Sequence, residues 1–347
     1  MNRFGVLIFL VVGLSQTIVA QLFIFNQLFQ PSVRLNVEYM PDGSRWLGNA
    51  PDRLEYGRAN MNLIIPVSQK MNMKVDWWAA VGKVPKLRQL RFKDIGDVAQ
   101  LRMRQIFWNV RPQVSYFQYN TTDSLGAPFR SPQQAYGVST GITGVHLLRK
   151  FRLLFYSVNA GFMEDANSVR RIHPNFTTVV GVANINRLAY YWYYGVYINY
   201  SNGRVLPAPF LGIGANLMNK LWLDITLPVQ MRLGWQVSKR TKFDFVAGIS
   251  GFNSGFGYQT SGSTDWQRSF YSGYQVRTSL VWNWRIGNQT KIYLEGGYLP
   301  IRNLSFGRGS DNFYQPTLQP SFYGGVSLYY SFKKSLLGSV IDGLITF

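Results

Sequence analysis

The residues with chemical potential in this 347-residue chain are charged side chains set at alternate positions between apolar ones. Val229, Met231, Leu233, Trp235 and Val237 alternate with Gln230, Arg232, Gly234 and Gln236. Tyr274, Val276, Leu280, Trp282 and Trp284 alternate with Gln275, Arg277, Ser279, Asn283 and Arg285. A period of two places the polar set on one face of a β-strand and the apolar set on the other. By this parity one face gathers Arg34, Arg58, Lys74, Arg111, Arg232, Arg277, Arg285 and Lys291, together with Glu38, Asp76, Asp224, Asp244 and Glu295. Basic residues exceed acidic ones in that set. If the face lines a lumen, two readings stand. Rings of Arg and Lys favour an anion-selective pore. Charges confined in a narrow interior can instead pair with one another and conduct nothing.

Other catalytic chemistry is sparse. The chain has two histidines, His146 and His173, and no acidic residue lies near either in sequence. A Ser–His or Asp–His pair at a rim would be needed for a lipid- or peptide-acting enzyme, and no spacing selects one. The sequence reads as non-enzymatic and without a cofactor. Cysteine is absent, which excludes disulfides and thiolate metal sites. No metal-ligand spacing, phosphate loop or dinucleotide fingerprint occurs. The densest basic cluster, Lys83, Lys86, Arg88, Arg91 and Lys93, is interleaved with apolar residues and reads as a solvated basic hairpin, with a membrane-surface or phosphate site as the sharper alternative.

The elements that must position these charges are strands in a two-faced wall. Aromatic residues make up 16% of the chain and charged residues 15%, the latter well below the roughly one quarter of soluble domains. Alternating runs recur along the chain, near 33–40, 56–66, 71–82, 107–119, 135–147, 152–162, 176–185, 188–200, 206–217, 220–227, 229–237, 243–249, 274–285, 291–299 and 321–332. Short polar turns separate many of them, including Ser68-Gln69-Lys70, Arg149-Lys150, Asn184 to Arg187, Ser238 to Arg240 and Gly287-Asn288-Gln289. Longer Gly-, Asn-, Ser- and Pro-rich segments separate others, at 42–53, 120–134, 163–175, 201–205, 252–270 and 300–319. Short turns and long loops on opposite ends, with Tyr and Trp at strand ends, are the pattern of a transmembrane barrel. The expected fold is all-β, a closed antiparallel transmembrane β-barrel of about 14 strands, with 12 to 16 as the range. Residues 84–106 disturb the alternation: either a bulge lies near Gln105 or a separate short strand runs from Leu87 to Phe92.

The two ends of the chain carry targeting features. Asn2 and Arg3, the apolar run Phe4 to Leu14 and the small residue Ala20 follow the order of a secretory signal peptide, so residues 1–20 are expected to be removed. The domain reading is therefore a signal peptide at 1–20, a barrel at 21–332 and a tail at 333–347. Arg3 is the one charge in residues 1–20, so the formal charge of +20 becomes +19 on cleavage. An exported chain meets little nucleic acid, and the expected partners are outer-membrane lipid, lipopolysaccharide, the barrel assembly machinery and an anionic solute. In 321–332, Val326, Leu328, Tyr330 and Phe332 share the apolar face of an alternating strand that ends in an aromatic residue, the form of a last-strand assembly signal. Beyond it, Leu337, Val340, Ile341, Leu344 and Ile345 have helical spacing, expected to form a short C-terminal amphipathic helix on the membrane surface, or alternatively a plug.

Phe29-Gln30-Pro31-Ser32-Val33-Arg34-Leu35, Leu223-Asp224-Ile225-Thr226-Leu227-Pro228 and Leu294-Glu295-Gly296-Gly297-Tyr298 resemble stretches of outer-membrane β-barrels of unknown function common in Bacteroidota. The resemblance covers most of residues 30–332. It implies architecture and an outer-membrane location and carries over no catalytic or binding residue. The functional expectation is a passive channel for small or anionic solutes. The alternative is a non-conducting structural or partner-binding barrel of a surface or secretion assembly, and an enzyme at the rim is the third reading.

Overall fold

The computed structural model describes residues 31–41, 52–75, 99–121, 134–148, 152–165, 172, 174–187, 190–201, 203–218, 220–259, 266–287, 289–308 and 311–332. The signal peptide expected at residues 1–20, Lys83 to Lys93, His173 and the tail expected after Phe332 lie outside them. The elements are β1 (Ser32–Met40), β2 (Asp52–Val75), β3 (Ala99–Thr121), β4 (Gln134–Leu147), β5 (Arg152–Asp165), β6 (Asn175–Arg187), β7 (Tyr190–Ser201), β8 (Arg204–Met218), β9 (Leu221–Leu227), β10 (Gln230–Gln236), β11 (Thr241–Gln259), β12 (Trp266–Ile286), β13 (Thr290–Arg308), β14 (Asp311–Tyr314), β15 (Thr317–Leu318) and β16 (Ser321–Ser331).

Strands β1 to β13 pair in sequence order, β13 pairs β16, and β16 pairs β1. The sheet closes on itself as a 14-strand antiparallel barrel. Two further strands, β14 and β15, ride on the upper part of β13. Closure gives each wall strand two neighbours around the lower part of the barrel, which satisfies the backbone groups between strands there and makes the structure viable in lipid. The outer surface is apolar: Leu35, Val114, Ile142, Val158, Val196, Ile213, Leu280 and Leu328 all point outward and stand exposed. Aromatic rings band it at both ends. Tyr190, Trp235, Trp284 and Tyr330 lie toward the short-turn end, and Tyr39, Tyr116, Tyr136, Phe176 and Phe322 toward the loop end. The outward tyrosines near the loop end keep their hydroxyls on polar partners: Tyr39 donates to Glu55 at 2.8 Å, and Tyr136 to Gln134 at 2.6 Å. This is the interfacial arrangement, ring in the apolar band and hydroxyl at its polar margin.

Three sequence expectations change. The run near 56–66 and residues 71–75 of the run near 71–82, expected as two strands around a Ser68-Gln69-Lys70 turn, belong to a single strand, and residues 76–82 lie outside the described residues. In β2 the register against β3 shifts between Pro66 and Ser68, so Val67 is taken up by a bulge and the polar residues continue the ladder. A strand at Leu87 to Phe92 is then unnecessary for closure at fourteen. The segment 201–205, expected as a longer loop, is a tight turn between Ser201 and Arg204 with Gly203 at φ 77°, a conformation glycine adopts without strain. The expected loops at 252–270 and 300–319 are largely strand, because β11, β12 and β13 rise well past the membrane band.

The wall is uneven, and this shapes the lumen. Strands β9 and β10 have seven residues each, short of the roughly 9–11 needed to cross a bilayer at a tilt. Strand β11 bends over this low wall. Ile249 N–H donates to the Val229 carbonyl at 2.9 Å, Asn253 hydrogen-bonds Ser201, and the Ser254 hydroxyl donates to the Met163 carbonyl at 3.2 Å. Gly255 then pairs with Glu164 of β5. Both are odd-numbered strands of an up-and-down barrel, so they run the same way and their contact is parallel. At this level the wall reduces to a smaller ring: β11, β12, β13, β16, β1, β2, β3, β4 and β5.

Candidate functional site: the barrel interior

The interior has two layers. The upper one lies inside the smaller ring. Tyr56 of β2, Phe117 of β3, Phe252 and Phe256 of β11 and Tyr271 of β12 are all at most 5% exposed and belong to one apolar cluster. Phe117 meets Tyr271 edge-on with centroids 4.6 Å apart, and Tyr56 stacks on Phe252 at 5.0 Å. A barrel of about eight strands has an interior just wide enough for side chains to fill. The nine-strand ring is close to that limit, and five large rings occupy it. The alternation that puts these aromatics inward also puts Val114 outward on β3 and Leu280 outward on β12.

Below it the wider part of the barrel is divided: β2 to β8 carry a second apolar cluster that includes Phe107, Val145, Phe155, Tyr193 and Phe210, and the inward charges stand on β9 to β13 and β1 to β3. Inward parity follows the strand register. Asp244 pairs with Val281, Val281 with Glu295, Glu295 with Gly325, Gly325 with Glu38, and Glu38 with Arg58. The three acids thus sit on one register row, at alternate strands. Each is held by base. Arg58 Nη2 donates to Glu38 Oε2 at 2.7 Å. Arg277 forms an ion pair with Glu295, and both bond the Tyr323 hydroxyl: Arg277 Nε donates to it at 3.0 Å, and it donates to Glu295 at 2.7 Å. Lys242 Nζ lies 3.0 Å and Arg232 Nε 3.9 Å from Asp244. Asn283 Nδ2 also donates to Asp244 at 2.5 Å. These pairs are largely shielded from water; the Asp244 side chain is 2% exposed.

Asp224 is held differently. Tyr191 donates to it at 2.7 Å and Tyr193 at 3.3 Å. The two rings lie over glycines: a Cβ on Gly212 would collide with the Tyr193 ring, and one on Gly214 with the Tyr191 ring. Glycine is required here because the tyrosine rings lie flat against the neighbouring strand. Trp222 beside them receives Lys242 Nζ 3.9 Å over its face, a favourable cation–π geometry.

A second register row lies nearer the short-turn end and contains base without acid. Arg285 pairs with Lys291, Lys291 with Tyr329, Tyr329 with Arg34, and Arg34 with Asn62. Arg111 continues it on β3, between Val110, paired with Leu63, and Gln113, paired with Asn60. Arg34 donates to Ser327 at 3.3 Å and lies 5.3 Å from the Tyr293 ring centre. Its Nε is buried and without a hydrogen-bond partner. Arg111 forms no ion pair among the described residues.

Of the charges expected on the lumen face, Arg34, Glu38, Arg58, Arg111, Asp224, Arg232, Asp244, Arg277, Lys291 and Glu295 are buried or half-buried on inward positions. Arg285 is exposed at the short-turn end of β12. Lys74 is in β2, paired with Gln100, beyond the bulge; its side chain and the whole of Asp76 lie outside the described residues. Sequence reasoning missed Lys242, which sits on the same alternate positions as Asp244 and could have been read from them. His146 lies on β4 with Nε2 3.4 Å from the Tyr156 hydroxyl. No group of His, Cys, Asp and Glu suited to a metal occurs among the described residues. In the closing strand, Val326, Leu328, Tyr330 and Phe332 all face outward and are exposed.

A closed antiparallel cylinder with an apolar exterior, two aromatic bands and a polar interior defines a β-barrel of the outer-membrane type. Residues 100–331 match the family described as Domain of unknown function (DUF6268), and the chain belongs to that family. Among solved structures it is similar to the beta domain of the Bordetella autotransporter BrkA, at 7% identity and a TM-score of 0.30, over 87% of this chain and 99% of that one. It is similar also to the outer-membrane expressed OmpT of Vibrio cholerae, at 10% identity and a TM-score of 0.25, over 87% and 96%. The transport unit of the Escherichia coli autotransporter AIDA-I aligns at 9% identity and a TM-score of 0.23, over 90% and 97%. No curated protein matches the chain.

Proposed function

We propose that this protein is a non-conducting barrel of the bacterial outer membrane, closed at its loop end and serving a structural or partner-binding role. The observation that carries this reading is the aromatic layer of Tyr56, Phe117, Phe252, Phe256 and Tyr271 filling the narrowed ring. The pairing of Glu38, Glu295 and Asp244 with arginine and lysine points the same way. Passage of small or anionic solutes, the other reading of the lumen charges, would need a water-wide path through that layer. In this reading residues 1–20 are removed on export, the short turns face the periplasm, the assembly machinery receives the closing strand at Val326, Leu328, Tyr330 and Phe332, and the wall rests in lipid and lipopolysaccharide. The chemistry is binding rather than catalysis.

Planar-bilayer recording on the refolded protein tests it. The expected result is a seal without stable steps, with steps appearing in a Phe117→Ala/Phe252→Ala variant. Stable, step-like conductance from the unaltered protein would overturn the reading.

A further inference from the structure

We propose that the acid-free row at the short-turn end of the lumen is a binding site for a phosphate-type oxyanion, held between Arg34 and Arg111. This inference rests on the barrel being closed above the row, which makes the lumen a blind vestibule rather than a passage.

Each guanidinium carries five N–H groups in a rigid fork and accepts nothing. Arg34 uses one of them on Ser327, at a long 3.3 Å, and its buried Nε has no partner. Arg111 has no ion pair among the described residues. Arg58, the next cation, spends Nη2 on Glu38 and also leaves a buried Nε unbonded. Leaving charged donors unpaired away from water costs free energy. An oxyanion supplies what the row lacks, several acceptors and negative charge, and the planar forks match phosphate geometry.

Spacing fits as well. Arg34 and Arg111 stand on alternate strands, β1 and β3, with Asn62 of β2 between them in the row. Strands lie about 4.7–4.9 Å apart, which sets the two backbones about 10 Å apart. Two extended arginine side chains converging from that separation can grip one tetrahedral anion. Asn62, Asn60 and Gln113 supply neutral amides on the same inward face. Toward the short-turn end the row continues through Tyr329 and Lys291 to Arg285, which is exposed. Because strands tilt in a barrel, a register row climbs the wall. The cations form a rising track from the short-turn end toward Arg111, and Glu38, Glu295 and Asp244 lie on a separate row that base already occupies.

Phosphate can come from a free solute or from a lipid headgroup, and the test separates them. The refolded protein in zwitterionic detergent at low salt is titrated calorimetrically with inorganic phosphate and, in parallel, with short-chain phosphatidic acid in the same micelles. We expect saturable binding of one or both. It should weaken at least ten-fold in Arg34→Gln/Arg111→Gln and stay unchanged in Lys239→Gln/Arg240→Gln, which removes exposed charge from the β10–β11 turn. Binding of inorganic phosphate assigns a free solute; binding of phosphatidic acid alone assigns a headgroup. Retained heat-modifiable gel mobility certifies that the variants fold. No binding of either probe, or binding equal in the unaltered protein and Arg34→Gln/Arg111→Gln, overturns the proposal. The readout is independent of conductance: an open channel would refute the closed barrel and leave the titration to judge the site.

Discussion

The two interior layers of this barrel solve the same problem in opposite ways. A barrel must place inward-facing side chains every second residue and fill or hydrate the space they enclose. At the loop end the ring narrows, and the sequence supplies aromatics that exclude water. Lower down the ring widens, and the sequence supplies arginines and carboxylates that share the space with a second apolar cluster on β2 to β8. The aromatic layer gains from dispersion and apolar burial and needs no particular partner for each ring. The polar layer depends on specific pairs, because an unpaired buried charge is costly and a paired one gains little over an apolar substitute. The contrast is between a layer whose stability is spread over contacts and one whose stability is concentrated in partnerships.

The contrast is broken most severely in the aromatic layer. Phe117 is 1% exposed and touches Tyr56, Phe252 and Tyr271. Phe117→Ala is expected to cost about 3–5 kcal/mol, the range for aromatic truncation in a closed core, read as a lowered urea midpoint of the refolded protein in micelles. A loss under about 1 kcal/mol would mean that the rings are loosely packed.

Next comes the Arg277–Glu295 pair, whose side chains are 17% and 25% exposed. Glu295→Leu should cost about 2–3 kcal/mol, less than for a fully buried pair because water still reaches the arginine. Arg277→Leu/Glu295→Leu should recover most of that loss in the same urea experiment. Equal losses in the single and double variants would show that packing, rather than partnership, holds this layer.

These layers were unequally legible in the sequence. The alternation of Arg277 and Glu295 with Leu280, Trp282 and Leu294 is enough to place the charges inward, because period two ties each residue to one face of a two-faced wall. The number of strands follows from the same alternation once Val67 is taken up by a bulge. Which charges meet is another matter. Arg58 reaches Glu38 across two strands 20 residues apart in sequence, and that meeting is set by register, which the pattern of a single strand does not contain. The aromatic layer was hidden for a similar reason. Phe117 looks like any inward residue, and Phe252 and Tyr271 fall outside the expected strands, until β11 crosses the seven-residue β9–β10 hairpin and pairs with β5. Only then does the ring narrow around them. The segment 252–270 reads as loop because its Gly and Ser suggest turns, whereas in the wall those small residues let β11 bend and pack, with the Phe252 ring lying where a Gly273 Cβ would be.

Within the polar layer the comparison can be sharpened at a site that needs shape and partnership together. Gly214 gives its space to the Tyr191 ring, and that ring's hydroxyl holds Asp224. Gly214→Ala should displace the ring and weaken the bond, at about 1–2 kcal/mol, the scale of overpacking at one methyl group. A matching loss in Tyr191→Phe, with no added loss when the two are combined, would trace the effect to the Asp224 bond. Additive losses would place it in packing instead.

The smallest expected effect is the most discriminating. If partnership decides the polar layer, a charge without a partner should contribute nothing by its removal. Arg111 is inward, lacks an ion pair among the described residues, and interacts unfavourably with Arg34 and Arg58. Arg111→Met keeps the apolar stem, removes the charge and leaves no acid behind. In phosphate-free buffer it should change stability by less than about 1 kcal/mol, with the sign toward stabilisation, because desolvation and like-charge repulsion are both relieved. Arg58→Met, the same chemical change one strand away, strands Glu38 and should destabilise by about 2–3 kcal/mol. Adding phosphate should then raise the urea midpoint of the unaltered protein and leave that of Arg111→Met nearly unmoved, since a ligand stabilises only the state that binds it. Equal destabilisation by the two methionine substitutions would mean that Arg111 has a partner after all, and that the acid-free row is held together by something other than a ligand.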